Sequence, residues 1–328
     1  MDKKFEYCVV IRTLGTAGSK YQELLNSIAQ QTIQPRKILV YIAEGYSLPK
    51  ETIDKEDYIR CPKGMIMQRS LPFDEVNTDY MLLCDDDISF PPDFVDKLYQ
   101  GLSSNNGDCI SPYVSGPQPG KQNWLQTIKR AVISFEMPRS DDGWAVRIMR
   151  NGSYSYNIKP SKEIMPTQSA MGTCALIKKK AYHAIHFEDE RWLDKFKYAQ
   201  GEDLLFFYKL YYMNYKVLFI YNTGMIHLDA GTSSKKLPKD WYRKNQMIWF
   251  VIPYRIRYDL KKNSSFEKIR CINSYLIKML LKFLVTPIRA IKERSPVILL
   301  DFFRGIKDGY KYVHSTEYLE IPKYDNYM

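Results

Sequence analysis

Three consecutive aspartates, Asp85, Asp86 and Asp87, follow the apolar residues 80–84, which are typical of a buried strand. Like charges at a strand end repel one another, so a buried cluster of this kind requires a cation among the carboxylates. Mg²⁺ or Mn²⁺ fits, and it keeps coordination positions for water and phosphate oxygens. The pattern therefore favours chemistry on a phosphorylated substrate. The alternative is an acidic turn, because Asp is favoured in turns and helix caps.

Strand and helix patterns alternate around this cluster. The sequence predicts strands at residues 5–13, 37–42, 58–60 and 80–84, and helices at 20–31 and around Gln68 and Arg69. Alternation of this kind predicts an α/β fold with a parallel sheet, in which ligands bind beyond the carboxyl ends of the strands. Thr13, Glu44, Arg60 and the aspartates all follow such ends. We therefore expect one site built from four strand ends.

Five segments follow one another along the chain: Gly64 with Arg69 and Ser70, the triple aspartate, and residues 172–181, 187–190 and 201–205. In their order they resemble the landmarks of the family-2 glycosyltransferases with a GT-A fold, of the bacterial-polysaccharide type. The resemblance covers roughly residues 5–230 and rests on order and spacing. It implies a Rossmann-like, mostly parallel central sheet flanked by helices, with a C-terminal helical extension.

The sequence departs from the family pattern at three places. Arg12 stands where the family usually has proline, Ala43 and Glu44 where it often has paired aspartates, and Ser70 where it usually has asparagine. These departures leave the base and the sugar of the donor open.

The resemblance implies a divalent cation, Mn²⁺ or Mg²⁺, among the aspartates. Asp87 is the first choice as metal ligand. Asp85 is assigned to the ribose or sugar of the donor and also to the metal. Asp86 is a helper or a second ligand. His227 follows an apparent strand at 216–221, a region that often completes the metal or diphosphate site in related enzymes; the alternative is a structural histidine.

Besides Asp85 and Asp86, four residues are assigned to the nucleotide diphosphate sugar donor. Glu44 matches the family position that pairs with the base imide, although an exposed turn glutamate is the alternative. Thr13 is expected to bond the base or the ribose. Arg60 and Arg69 either face the diphosphate or hold the acidic cluster together, and Arg69 belongs to the family motif.

Glu202 and Asp203 open an apparent helix at residues 204–213. Two carboxylates at a helix N-terminus are also ordinary capping charges. The resemblance implies an inverting transferase, in which a carboxylate deprotonates the acceptor hydroxyl as the hydroxyl attacks the anomeric carbon. Asp203 matches the position of this base, and Glu202 is the next candidate.

The expected reaction is the transfer of a hexosyl or N-acetylhexosaminyl group to a hydroxyl of a glycan or lipid-linked acceptor, in cell-surface polysaccharide synthesis. A noncatalytic nucleotide- or glycan-binding module on the same fold is the alternative. Nucleic acid is not an expected partner, because the chain has no recognisable nucleic-acid-binding module despite its net charge of +11.

Composition predicts two domains and a cytoplasmic location. Residues 1–235 are expected to form the catalytic domain and 236–328 a helical region, because residues 231–238 are polar and rich in helix breakers. The six cysteines form no C-x-x-C pair and are expected to be reduced core thiols. The N-terminus shows no signal-peptide pattern, which favours the cytoplasm.

Residues 266–292 combine apolar residues at helical spacing with six lysines and arginines. Because no window of about 18 uncharged apolar residues is present, we expect an in-plane amphipathic helix rather than a spanning one. Such a helix lies either on an anionic membrane surface, which would place the protein on the inner face of the cell membrane, or against the catalytic domain.

Overall fold

The computed structural model describes residues 5–114, 137–196, 200–228, 240–261 and 263–323. The described chain forms two compact units. The first, called the sheet unit, comprises residues 5–114, 162–194 and 202–228. The second, called the helical unit, comprises residues 137–161, 195–196, 200–201, 240–261 and 263–323.

Thirteen strands are present in the described residues. They are β1 Tyr7–Thr13, β2 Lys37–Ala43, β3 Glu56–Cys61, β4 Tyr80–Asp85, β5 Ile88–Ser89, β6 Cys109–Pro112, β7 Met137–Arg139, β8 Val146–Ile148, β9 Tyr154–Asn157, β10 Ile164–Pro166, β11 Cys174–Lys178, β12 Val217–Ile220 and β13 Ile226–His227.

The helices of the described residues fall between and after these strands. They are α1 Ser19–Ala29, α2 Met65–Arg69, α3 Phe94–Ser104, α4 Lys179–Ala184, α5 Glu202–Tyr212, α6 Trp241–Tyr254, α7 Ser265–Lys292, α8 Val297–Val313 and α9 Thr316–Leu319, with a 3₁₀ helix at Phe187–Phe196 and a π-helix at Arg255–Asp259.

The sheet unit is built on one eight-stranded sheet in the order β10-β12-β6-β11-β4-β1-β2-β3. Strands β3, β2, β1 and β4 are parallel neighbours, and β6 pairs in parallel with β12. Strand β11 runs antiparallel between β4 and β6, and β10 is antiparallel to β12. The predicted mixed α/β class, with a mostly parallel central sheet flanked by helices and a C-terminal helical part, is confirmed.

The central strands are buried on both faces. Val9, Val10 and Ile11 of β1 are fully buried, as are Leu39 and Val40 of β2. A strand buried on both faces is a near-continuous apolar run, which explains why the strand predictions agree with the structure to within about two residues. The polar residues that follow these strands thereby reach the surface at one edge of the sheet.

The helical unit combines a small sheet with the C-terminal helices. Strand β9 pairs in parallel with β7 and antiparallel with β8. Arg150 Nε lies 2.7 Å from Glu267 Oε1, and Arg257 Nη2 donates to Ile148 O at 2.8 Å. These contacts attach residues 137–161 to the helices.

The structure therefore differs from the predicted domain division, which placed residues 137–161 in the catalytic domain. Sequence order alone cannot reveal this, because the contacts join residues more than a hundred positions apart. The predicted boundary between residues 235 and 236 lies outside the described residues.

Helix α7 agrees with the predicted helix at 266–292. Among the described residues it is the one helix long and apolar enough to cross a membrane, by length and composition only, which is weak evidence for a span. The expectation that no uncharged window of this length exists holds, because Lys278 and Lys282 lie within the segment, but two charges still leave its mean hydropathy in the range of a spanning helix. Only 22% of the apolar window is buried, so α7 is not an ordinary core helix.

Candidate active site

Asp85, the last residue of β4, is held by two arginines. The register of β1 against β4 places Arg12 directly beside Asp85, and Arg12 Nη2 lies 2.9 Å from Asp85 Oδ1. Arg69 Nη2 lies 3.1 Å from the other oxygen, Oδ2. Burial, followed by the charge of Arg69, lowers the pKa of Arg12. Both carboxylate oxygens of Asp85 are thus engaged by guanidinium groups.

Helix α2, which carries Arg69, is fixed at both of its ends. The Asp194 carboxylate accepts hydrogen bonds from the backbone N–H groups of Ile66, at 3.0 Å, and Met67, at 2.8 Å, so it caps the first turn. At the other end, Tyr182 Oη donates to the carbonyl of Arg69 at 2.9 Å. Arg69 is therefore presented from a rigid turn.

Glu202 and Asp203 form the first turn of α5, as the sequence predicted for a helix start. Arg69 Nη1 lies 3.2 Å from Glu202 Oε1, so one guanidinium binds both Asp85 and Glu202. Burial raises the pKa of Glu202 to about 7 in spite of this ion pair. Asp203 Oδ1 accepts from the backbone N–H of the next residue, Leu204, at 2.7 Å. This is not the contact of an N-cap, whose side chain accepts from an N–H two or three residues further on.

Gly172 makes this close approach possible. A Cβ at this position would overlap the Arg69 guanidinium and would lie 3.2 Å from Asp203 Cβ. The Gly172 carbonyl also accepts from Arg69 Nη1 and from Arg12 Nη2, each at 3.4 Å. A glycine here brings the end of β4, α2 and α5 together, because any side chain would displace the arginine.

Thr13 and Asp86 bond to each other. Thr13 Oγ1 donates to Asp86 Oδ2 and accepts from the backbone N–H of Gly15 at 2.7 Å. Burial is the main cause that raises the pKa of Asp86 to about 6. The hydroxyl of Thr13, predicted to contact the donor, is used inside the protein in this structure.

Asp87 and His227 meet through the ribbon formed by β5 and β13. His227 pairs with Ile88 across this ribbon, and Leu228 N donates to Asp87 O at 2.8 Å. His227 Nε2 lies 3.2 Å from Asp87 Oδ1. The pairing explains how a histidine so far along the chain reaches the aspartates.

A carboxylate beside an imidazole is a donor set that accepts Mn²⁺. No group of three or more His, Cys, Asp or Glu side chains with metal-binding geometry occurs among the described residues. Asp85 is bound to the two arginines, so Asp87 and His227 are the two predicted ligands that lie together. Two protein ligands leave room for water and diphosphate oxygens, the usual arrangement for Mg²⁺-type sites.

Glu44 and Arg60 lie further along the same sheet edge. The register of β2 against β3 aligns Ile42 with Arg60, and Glu44 N donates to Cys61 O at 2.8 Å. Both side chains are exposed, and Arg60 Nη1 donates to the Tyr46 carbonyl. Strand β3 is three places from β4, about 14 Å at the usual strand spacing, so Arg60 does not join the Asp85 cluster.

One small cavity of the sheet unit is lined by the polar residues that the structure brings together, with Phe187, Phe206 and Phe207 on its apolar side. Its polar lining is formed by Arg12, Arg69, Gly172, Glu202 and Asp203. The sequence identified Arg12 only as a departure from the family pattern and gave no role to Gly172 or Asp194. The sequence does show an arginine, Arg12, at the end of a predicted strand. The pairing of β1 with β4 then places this cation beside Asp85.

All six cysteines are free and buried, so the predicted core thiols are confirmed. Cys84 Sγ and Cys174 Sγ lie 4.0 Å apart on paired strands, beneath the Asp85 site.

Comparison with known proteins gives only distant similarities. No protein-family model and no curated protein matches the chain. Among solved structures, the chain is similar to GalNAc-T7 crystallised with UDP, GalNAc and Mn²⁺, with 13% identity, a TM-score of 0.49 and coverage of 89% of this chain and 58% of that one. It is also similar to S. aureus TarS, with 11% identity, a TM-score of 0.45 and coverage of 84% and 43%. The chain thus spans only about half the length of these structures, and function is argued from the site.

Proposed function

We propose that this chain is a metal-dependent, inverting glycosyltransferase of the GT-A type that takes a nucleotide diphosphate sugar as donor. The observation that carries the proposal is the cluster at one sheet edge, where the Asp87–His227 pair, two arginines with side chains only 8% and 15% exposed, and the two carboxylates of α5 occur in one compact unit. Separately each feature has an ordinary structural explanation. Their convergence is typical of a site that binds diphosphate and moves a proton.

Asp87 and His227 would hold the divalent cation, Mn²⁺ or Mg²⁺. When bound, the cation neutralises charge on the departing diphosphate. Arg12 and Arg69 supply two further positive charges, held on Asp85 two residues before Asp87, and the buried Nε of Arg12 has no hydrogen-bond partner among the described residues. Guanidinium groups match phosphate oxygens in geometry, so this pair supports binding of the diphosphate. Of the two roles expected for Arg69, its contacts with Asp85 and Glu202 support holding the acidic cluster, and we assign it contact with the diphosphate as well.

The outer end of the sheet edge is suited to the base and ribose. Glu44 and Arg60 are exposed there, next to Tyr46, and the Lys63 ammonium lies over the Tyr46 ring at 4.8 Å. A carboxylate that accepts from a base N–H, beside an aromatic ring, is a common arrangement for nucleotide recognition. Thr13 ends β1, and Asp85 and Asp86 stand at the end of β4, the next strand of the sheet, so these three residues are assigned to the ribose and the sugar.

In the transfer step, the acceptor oxygen forms a bond to the anomeric carbon as the bond from that carbon to the diphosphate oxygen breaks. The hydroxyl proton passes to Asp203, and the diphosphate leaves with the bonding electrons. Glu202 positions Arg69 and, with its pKa raised to about 7, is the second candidate for the base, since a base works best when its pKa is near the working pH.

The finer assignments complete the proposal. A hexosyl or N-acetylhexosaminyl donor, a glycan or lipid-linked acceptor and a role in cell-surface polysaccharide synthesis follow from the family resemblance of the sequence. A cytoplasmic location is supported by six buried, unpaired cysteines, because thiols of this kind are typical of a reducing compartment.

A thermal-shift screen of nucleoside diphosphates, with and without Mn²⁺, tests the proposal. A ligand at about 100 times its Kd adds about 2.7 kcal/mol to the free energy of unfolding, so the matching base should raise Tm clearly, and only with metal present. Release of nucleoside diphosphate from the matching sugar donor, in the presence of glycan acceptors, would then show transfer.

The alternative function, a noncatalytic nucleotide- or glycan-binding module, predicts metal-dependent binding without release of diphosphate. Retention of both α5 carboxylates beside the arginines favours the enzyme, because a binding module has no need of a base. A protein that binds none of the nucleotides under either condition would contradict the transferase and a nucleotide-binding module, and absence of glycan binding as well would contradict a glycan-binding module.

A further inference from the structure

We propose that α7 and α8 form a membrane-docking surface that lies in the plane of an anionic lipid bilayer, with its apolar side chains inserted among the lipids. This inference goes beyond the proposed transferase activity and does not depend on it. The surface, called the apolar face, consists of exposed large side chains of two consecutive helices. They are Phe266, Ile269, Ile272, Leu276, Ile277, Leu280, Leu281, Phe283, Leu284, Ile288, Ile291, Val297, Leu300, Phe303 and Tyr310.

The apolar face is unusual in extent. It holds fifteen of the twenty-one exposed large hydrophobic side chains found in the described residues. At 100° per residue, its positions on α7 cover about half of the helix circumference. Leu280, Leu284 and Ile288 are 59%, 62% and 66% exposed. Contiguous exposed apolar surface of this size marks an interaction site in a soluble protein, because scattered single residues would need no explanation.

Helix α7 also has its polarity reversed relative to an ordinary surface helix. A surface helix normally turns its apolar residues inward and its charged residues outward. In α7, Lys278 is only 4% exposed, with its ammonium 5.6 Å from the centre of the Trp249 ring. Thr286 is likewise buried and lies 3.3 Å from Tyr242 Oη. The outward half is therefore the more apolar half, as expected for a helix whose outer neighbour is lipid.

The contacts of α7 favour an in-plane orientation over a span. At its first turn, Glu267 pairs with Arg150; in its middle, Lys278 reaches the Asn151 carbonyl at 3.4 Å; near its end, the Arg289 guanidinium lies 5.1 Å from the Tyr242 ring. One side of α7 thus contacts other parts of the helical unit near its start, its middle and its end. A spanning helix would have to break these contacts, whereas an in-plane helix keeps them and buries the opposite side.

The charge of this region identifies the kind of lipid. Residues 264–314 contain ten lysines and arginines against four acidic residues. Arg304, Lys307 and Lys311 are exposed along α8, beside its part of the apolar face. Basic residues around an inserted apolar surface attract anionic headgroups. Two copies of this positively charged surface would repel each other, so a bilayer is favoured over a second copy as the occupant.

Vesicle flotation of the full-length protein tests the proposal, with phosphatidylcholine vesicles that contain or lack phosphatidylglycerol. We expect binding to the anionic vesicles, with a part that persists at high salt because apolar insertion is not screened. The double variant Leu280→Glu/Leu284→Glu should require at least about tenfold more lipid, since two leucines would no longer be buried. The matched double variant Leu48→Glu/Leu319→Glu alters two other exposed leucines, which lie outside the apolar face, and should bind as the natural protein does.

A fluorescent probe reports insertion directly. The six natural cysteines are buried, so an environment-sensitive dye would label an introduced Leu280→Cys thiol in the folded protein. We expect a blue shift on addition of anionic vesicles, and none for the same dye on Leu48→Cys. Equal binding by the Leu280→Glu/Leu284→Glu variant, or equal binding to vesicles without phosphatidylglycerol, would overturn the proposal. The proposal would also be overturned if the natural protein formed a stable dimer that does not bind vesicles, and if the Leu280→Glu/Leu284→Glu variant were a monomer. Because no donor or acceptor is present, these results are independent of transferase activity.

Discussion

Arg69 Nη1 lies 3.2 Å from Glu202 Oε1, and Nη2 of the same guanidinium lies 3.1 Å from Asp85 Oδ2. One arginine therefore joins the end of β4 to the start of α5 and neutralises a carboxylate on each. The side chains of Arg69 and Glu202 are only 15% and 14% exposed, so little water is available to replace either partner. The geometry of the site depends on this planar, two-sided contact.

Substitution Arg69→Lys tests that dependence. A lysine keeps the charge but cannot bind two carboxylates with one rigid group. We expect the free energy of unfolding to fall by about 1 to 3 kcal/mol, because one buried carboxylate loses its partner, and nucleotide diphosphate affinity to fall as well. Urea unfolding and calorimetry provide the two measurements. Arg36→Lys is the control, since Arg36 makes an exposed ion pair with Glu6 and should change stability by less than about 0.5 kcal/mol.

Asp203→Asn tests the assignment of the general base. Asparagine keeps the shape of aspartate and can still accept from Leu204 N–H, but it cannot take up a proton. We expect Tm and metal-dependent donor affinity to be unchanged while the rate of transfer falls by about 10²- to 10⁴-fold.

Glu202→Gln is the comparison for this prediction. It should weaken the contact with Arg69 and reduce the rate less than Asp203→Asn does. The opposite order of the two rates would show that Glu202 is the base and that Asp203 is only a helix-terminal charge.

The stability of the protein should depend on the ionisation of Glu202. Its pKa rises from 4.5 to about 7 on folding, mainly because of burial. Between these values the folded state binds more protons than the unfolded state, so the free energy of unfolding falls as the pH rises from about 4.5 to 7. The decrease due to this residue is on the order of 3 kcal/mol.

The measurement is urea unfolding of the natural protein and of Glu202→Gln between pH 4 and about 8. The difference between the two curves should decline across the window and stay level above it. Taking the difference removes the contribution of Asp86, whose pKa is also raised, to about 6, and which acts in the same direction. A difference that is constant with pH would contradict the raised pKa of Glu202.

Metal dependence is expected to reside in Asp87. Asp87→Ala leaves only His227 of the Asp87–His227 pair, so nucleoside diphosphate binding should weaken by at least about tenfold and lose its response to Mn²⁺. Calorimetry with Mn²⁺ and with chelator measures this. Asp93→Ala removes an exposed carboxylate paired with Lys97 and serves as the control. Equal affinity of the natural protein with and without metal would contradict the metal site.

Much of the sheet unit could be predicted from the sequence alone. The apolar runs that became β1, β2 and β4 are buried on both faces, and burial of this kind leaves a continuous signal in neighbouring residues. The helix at 266–292 was equally clear because its periodicity extends over many turns. The polar residues at strand ends, from Thr13 to Asp87, followed from the same patterns, since parallel strands end at one edge.

The tertiary structure alone decided which of these residues meet. Asp85 bonds to Arg12 and Arg69 and not to His227, which pairs instead with Asp87. The attachment of residues 137–161 to the helical unit and the outward direction of the apolar face were also settled only in three dimensions. Each depends on contacts between residues distant in sequence, and periodicity reports only that a face is apolar, not what covers it.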